Sequence, residues 1–449
     1  VETDDIPASV SQRLLWMIQH YRSDFGALCC PVVCRVRGPL DRAALQSAVD
    51  ALVGRHEALR TTFSGRGARL VQHVHPPRPL PVRWQDLSGT ADPAAAAAAA
   101  LAAELADPID PRQWPARASA WRTGPDEHLF CLNLHHLVTD AWSTAILLRE
   151  LCGLYDLAFG AAPPAPPGWQ YREFVRWQQS LLAGEAVRRH REYWQRQLRG
   201  AALPRLAGPA RPGAPGRDGP EPATDPAAGS ATDGGADPGG VYAVDLDPAV
   251  VARLRELART GQSTLFTVLL AVFHAQLWRV TGQPDIAVAS MFLNRSRPEL
   301  RDTVGLLAGM VLLRSQVGTR ASFADLVRHT HAAVVGAFAY QDLPFQLLPG
   351  DLVQAHGGRA DDVMFNVMTE VRHVRTAGGT RFELEVPTAI GSRFPFELAI
   401  VPVGARDLRC VLFRAGGWLD DARAGEFLAG YAELAGRLSA DPQAALRPR

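Results

Sequence analysis

The chain has 449 residues, 47% of them apolar and 21% charged, with 47 Lys plus Arg against 46 Asp plus Glu for a formal net charge of +1. That length exceeds the size at which a single hydrophobic core stops growing, so at least two lobes are expected, and the near-neutral balance argues against nucleic-acid or anionic-membrane binding. No basic stretch followed by a short apolar one opens the chain, and no run approaches the ~18 uninterrupted apolar residues of a membrane span, so a soluble, cytoplasmic protein is expected.

Apolar spacing predicts a helix over 10–20, a strand over 31–37 and a helix over 40–55, whose apolar positions 45, 48, 49, 52 and 53 share one face. The alanine run 94–103, continued by Leu105 and stopped by Pro108, predicts another helix, because alanine is the best helix former. A largely apolar strand over 127–134 leads into His135-His136-Leu137-Val138-Thr139-Asp140-Ala141-Trp142-Ser143, and helical spacing resumes over 142–159 through Ile146, Leu147, Leu151 and Leu154. From 203 to 240 Pro, Gly, Ala, Ser and Asp displace large apolar residues; such a segment buries too little surface to offset its ordering entropy, so a flexible linker is expected. Helices over 248–259 and 263–278, a strand over 285–291 and a last helix over 424–438 follow. The expected organisation is an α/β chain with layered helices and sheets: an N-terminal lobe at 1–202, the linker at 203–240 and a C-terminal lobe at 241–449.

The six cysteines, Cys29, Cys30, Cys34, Cys131, Cys152 and Cys410, form no C-x-x-C pair and read mostly as reduced, buried thiols. The thirteen histidines include no H-E-x-x-H, and neither a P-loop nor G-x-G-x-x-G is present, so no metal or nucleotide site is predicted. What stands out is two imidazoles and a carboxylate at a strand-to-helix junction. An imidazole with a pKa near 6.5 accepts a proton from an amine or hydroxyl nucleophile and returns it to a leaving group. Asp140 reads equally as the N-cap of the following helix, a position for which Thr139 competes.

Reading outward from the histidines, further strings fall in one order. Ser11-Gln12-Arg13-Leu14-Leu15-Trp16, Arg55-His56-Glu57-Ala58-Leu59-Arg60-Thr61-Thr62-Phe63, the histidine string, Tyr171-Arg172-Glu173-Phe174-Val175-Arg176-Trp177, Val304-Gly305-Leu306-Leu307 and Tyr340-Gln341-Asp342-Leu343-Pro344-Phe345 resemble, in sequence, six motifs of the condensation domains of nonribosomal peptide synthetases. Asn294-Arg295 and Met364-Phe365-Asn366-Val367-Met368 extend the resemblance. It implies two lobes like chloramphenicol acetyltransferase, set in a V-shaped pseudo-dimer with a tunnel between them. Two departures stand out. Ala141 replaces the glycine that follows the aspartate, and Ala308-Gly309-Met310 replaces V-N-T, which implies an unusual acceptor or a weakened site.

The resemblance further implies an acyl or aminoacyl donor held as a phosphopantetheine thioester on a carrier protein, attacked by an amine acceptor presented by a second carrier protein, to give an amide. No cofactor is bound by the chain itself and no metal is implied. His136 is the implied catalytic residue, with His135, Asp140 and Arg295 orienting or supporting it and Asp140 paired to Arg295. Ala141, Trp142, Ser143 and Gly309 are candidates for oxyanion or substrate contacts. Arg60, Gln341 and Asp342 are implied to order and bridge the lobes, the last two on a floor loop near 338–350. An ester-forming or free-acceptor acyltransferase of the same fold and a noncatalytic recruitment module stay open as alternatives.

Overall fold

In the computed structural model, residues 4–21, 28–206, 239–353, 359–368, 374–385, 394–404, 406–416 and 418–446 are described. Two six-stranded sheets organise them, with a smaller three-stranded sheet beside the first. The first large sheet runs in the order 374–377, 380–385, 32–37, 127–134, 116–124, 82–86; all its pairs are antiparallel except the last, Val82–Asp86 beside Ala116–Gly124. Helices Arg42–Arg55 and Ala141–Tyr155 cover one face through Leu45, Val49, Leu52, Ile146, Leu147 and Leu151. The alanine-rich helix Pro93–Ala106 covers the other through Ala97 and Leu105. Both faces are thus sealed, which explains why Val32, Val33 and Cys34 are all buried instead of alternating.

The second sheet runs 309–316, 285–292, 363–367, 396–403, 407–414, 240–245, with Val363–Val367 parallel to both its neighbours. Helix Leu265–Thr281 is buried on every side from Thr267 to Trp278, which fits its near-continuous apolar sequence; Thr264 caps its start and Gly282, at φ +70°, ends it. Helices Pro248–Thr260, Phe323–Ala339 and Asp421–Ala440 pack around it.

The packed lobes do not coincide with a cut of the chain at 202 and 241, because two segments pack on the lobe opposite to their place in the sequence. Helix Ala186–Leu198 places Val187, Trp194 and Leu198 in the second lobe's core, together with Leu203 and Leu206, so the chain has crossed over before the Pro/Gly-rich segment begins. Conversely, strands Val374–Ala377 and Thr380–Glu385 leave the second half and form one edge of the first lobe's sheet, with Phe382 opposite Val36 and fully buried. The apolar periodicity of a strand reports that it pairs, not with which sheet. Of the expected linker, 207–238 lies outside the described residues.

The three-stranded sheet, Asp4–Pro7, Val71–Val74 and Thr61–Ser64, is antiparallel throughout. Among the described residues no helix is long and apolar enough to cross a membrane.

Candidate functional site

The strand Glu127–Leu134 ends at the histidines. His135 N–H donates to the Pro115 carbonyl and His136 N–H to the Leu28 carbonyl, which fixes the backbone of the turn on both sides. His135 is 1% exposed, and its Nδ1 accepts the Leu137 N–H at 3.1 Å; that ring supports the turn from inside. His136 is half-buried, and its Nδ1 lies 2.8 Å from the Thr139 carbonyl. A carbonyl oxygen only accepts, so Nδ1 carries the proton of the neutral ring and Nε2 holds the basic lone pair. The loop sets the tautomer through its own backbone.

Asp140 caps helix Ala141–Tyr155, its Oδ1 accepting the Ser143 N–H at 2.8 Å and the Ser143 hydroxyl at 2.7 Å. The same carboxylate reaches across to the other half of the chain. Arg295 donates to it through both terminal nitrogens at 3.1 Å, and the Leu307 and Ala308 N–H groups donate at 3.1 and 3.0 Å. Burial by itself would raise the carboxyl pKa; the Arg295 charge and the Ser143 donors outweigh it and hold Asp140 below the usual carboxylate range. Arg295 also donates to the carbonyls of Leu293 and Thr303 and to the Ser143 hydroxyl. One aspartate therefore sets the helix end beside the histidines and clamps the segment 293–308 onto it.

That segment is held at several further points. Trp142 Nε1 donates to the Arg301 carbonyl at 3.3 Å, Arg149 pairs with Asp302 at 2.8 Å, and the Tyr171 hydroxyl lies 2.9 Å from the Leu306 carbonyl. Gly305 passes so close to the Tyr171 ring that a Cβ there would sit 2.0 Å from Cδ2, which explains the glycine. Leu300 and Leu307 join Ile6, Tyr171, Phe174 and Val175 in a small apolar cluster.

Ser143 does not offer its donors to a substrate: its N–H is taken by Asp140, its hydroxyl is bonded among Asp140, Arg295 and Gly305, and the residue is fully buried. The hydrogen bonds of Gln341 and Asp342 run to the Phe338 carbonyl and from the Ser296 hydroxyl, both in the second half of the chain. The following turn, Phe345–Leu347, is what approaches helix Val10–Tyr21. Arg60 donates to the His75 carbonyl and lies 3.9 Å from Glu57, tying the turn Glu57–Arg60 to the three-stranded sheet. Ala141 is exposed, Trp142 half-buried, and Gly309 half-buried at the start of strand Gly309–Gln316.

Other supports carry no signal in the sequence. Gln12, buried, donates through Nε2 to the Leu137 carbonyl at 2.9 Å and to Gln72 at 3.1 Å, bracing the histidine turn from below. Arg55 and His56 both meet Glu150 on helix Ala141–Tyr155, His56 Nε2 at 2.8 Å, while Glu57 pairs with Arg172. The strings containing these residues were legible, but their partners lie about a hundred positions away and leave no local trace. Among the described residues no group of three His, Cys, Asp or Glu side chains gathers around a common metal position.

Comparison with known proteins identifies the family. A family model described as "Condensation domain" matches residues 2–401. The chain is 35% identical over 355 residues to chondramide synthase of Chondromyces crocatus, covering 78% of this chain and 9% of that protein. It is 32% identical over 400 residues to cyclosporin synthetase of Tolypocladium inflatum, covering 88% of this chain and 2% of that protein. The chain thus spans only a small fraction of the curated relatives it matches. Among solved structures, the first condensation domain of the calcium-dependent antibiotic synthetase superposes with a TM-score of 0.77 at 22% identity over 99% of both chains. The X-domain from teicoplanin biosynthesis gives 0.80 at 21% identity, over 99% of this chain and 97% of that one, which again shows the two-lobed α/β fold. The chain belongs to the condensation-domain family.

Proposed function

We propose that this chain joins a donor acyl or aminoacyl group, held as a phosphopantetheine thioester on one carrier protein, to an amine presented by a second, with His136 as the residue that touches the nucleophile. The observation that carries this reading is the His136 tautomer: with Nδ1–H given to the Thr139 carbonyl, Nε2 accepts a hydrogen bond or a proton from the attacking amine. The ring is half-buried four residues before Asp140, whose pairing with Arg295 ties the two halves of the chain; two long, thin prosthetic arms brought together there from opposite sides gain proximity and orientation. The amine attacks the thioester carbonyl, its proton passes toward Nε2, and the thiol of the donor arm leaves protonated. A thioester is already activated, so placement of the two arms supplies much of the acceleration.

In place of Ser143, we assign the oxyanion contact to the N–H groups of Ala141 and Trp142. They lie in the first turn of helix Ala141–Tyr155, where backbone N–H groups lack intrahelical acceptors and the helix dipole favours negative charge. Asp140 acts through structure: it holds that helix end and the Arg295 segment in register.

The test is single-turnover product formation from a loaded donor carrier protein and an aminoacyl acceptor, followed by mass spectrometry. His136→Ala is expected to lower the rate by about 10²–10⁴-fold with the fold intact. Equal rates for the two proteins would end the catalytic assignment and leave a recruitment module of the same fold. Offering matched amine and alcohol acceptors side by side separates amide from ester formation.

A further inference from the structure

Glycine at 309 is required neither by the backbone nor by packing. Its φ lies outside the left-handed region, unlike the glycines at 282 or 378, and a Cβ built there meets only Asn294 Nδ2, at an unstrained 3.8 Å. A side chain would fit, and none is present. Facing this space is the Nδ2 end of the Asn294 amide. Asn294 is 7% exposed, it holds a left-handed backbone at φ +52°, and its Oδ1 is buried with no hydrogen-bond partner among the described residues. A buried amide oxygen left unsatisfied is unfavourable by more than a typical hydrogen bond contributes, so such a group points to a partner that arrives from outside.

The location ties this feature to the site. Asn294 precedes Arg295, which clamps Asp140, and Gly309 follows Ala308, whose N–H donates to Asp140 at 3.0 Å. Gly309 stands opposite Phe292 in the register of strands Asp285–Phe292 and Gly309–Gln316, at the end of the ladder nearest the histidine turn's helix. Gly309 is half-buried, which leaves the approach to the amide open on its side.

We propose that Gly309 and Asn294 form a polar substrate subsite that receives a small side chain bearing a hydroxyl or a carboxamide, held by the Asn294 amide. The inference rests on the condensation reading above and adds a specificity to it. The recognised chemistry is the same whether that side chain belongs to the donor or to the acceptor, and the experiment separates the two.

Soluble N-acetylcysteamine thioesters of serine, asparagine, alanine and leucine are offered first as acceptors, with one fixed donor, and then as donors, with one fixed acceptor. In one of the two arms the wild-type protein is expected to turn over the seryl or asparaginyl substrate about tenfold faster, in kcat/KM, than the alanyl or leucyl one. Asn294→Gly removes the amide while suiting the positive φ, and Gly309→Asn refills the space and partners the amide internally. Each is expected to bring that ratio close to one, whatever its absolute rate. Equal turnover of polar and apolar side chains in both arms, or a preference that survives both substitutions, overturns the subsite alone. Absence of product from every pair overturns the condensation reading and the subsite with it.

Discussion

At Asp140 the two halves of the chain are joined by one buried carboxylate that takes donors from both, whereas at 374–385 they are joined by a β-hairpin built into the other lobe's sheet. The first tie uses charge: Arg295, itself almost wholly buried, and the N–H groups of Leu307 and Ala308 converge on two oxygens. The second uses a ladder and apolar burial: Phe382 and Ala377 enter the first lobe's core, and the Gly378 N–H donates to Asp156 at 2.6 Å. A charged tie is directional, so it positions the loop beside His136, but it fails abruptly when one member is lost. A packed strand tolerates more and positions less.

The largest stability effect is therefore expected at the charged tie. Asp140→Ala leaves the Arg295 guanidinium buried and uncompensated and removes a helix cap, and it is expected to destabilise by about 3–5 kcal/mol in denaturant unfolding. Asp140→Asn, which keeps some of the hydrogen bonds, should recover part of this loss. An Asn variant as stable as the wild type would mean that charge is not what joins the lobes there.

Phe382→Ala tests the packed tie. Removing a fully buried aromatic ring from a sheet that is otherwise left intact is expected to lower stability by about 3 kcal/mol. Condensation rates measured well below the melting transition should change little. A rate loss approaching that of His136→Ala would show that the hairpin also shapes the site.

Acid separates the charged tie from the second lobe's core by pH window. His274, buried in helix Leu265–Thr281 with Nε2 donating to the Leu313 carbonyl, has its pKa depressed to about 4, first by burial. Its folded-state pKa lies below the unfolded value of about 6.5, so its contribution is complete above that pH and is lost, at up to about 1.4 kcal/mol per unit, as the pH falls toward 4. Asp140, also depressed, keeps its contribution through that window and loses it only on acidification below the ordinary carboxylate range. Denaturation midpoints at pH 7, 5.5 and 4.5 for the wild type and His274→Asn check the first window; parallel pH slopes in the two proteins would remove His274 as its cause.

The smallest effect is expected where the hairpin carries charge at its surface. Arg35 and Glu385 pair at 2.6 Å across the exchanged strand but are largely solvated, so Glu385→Gln should change stability by less than about 1 kcal/mol, and less still in high salt. A larger change would move weight from burial to charge in the packed tie.

Most of the secondary structure was legible because it is local. The helices Val10–Tyr21, Arg42–Arg55 and Pro248–Thr260 and the strand Glu127–Leu134 fall within a few residues of their expected bounds, since apolar period and capping residues specify them without reference to the rest of the chain. The histidine string was legible as chemistry for the same reason: three functional groups within six positions need no tertiary information to be noticed. The engagement of Ser143 was not legible. Its hydroxyl looks available in sequence and is consumed only because Gly305 and Arg295 arrive from more than 150 positions away.

The order of residues by itself determined which segments coil or extend, where the imidazoles sit relative to a strand end, and the family to which the chain belongs, because each of these depends on neighbours in the chain or on strings of neighbours. Only the tertiary structure decided that 374–385 completes the first lobe's sheet, that the Thr139 carbonyl fixes the His136 tautomer, and that the amide of Asn294, its oxygen unsatisfied, lies beside Gly309. Strand pairing and hydrogen-bond satisfaction are properties of groups brought together in space, and no local pattern records which distant group will arrive.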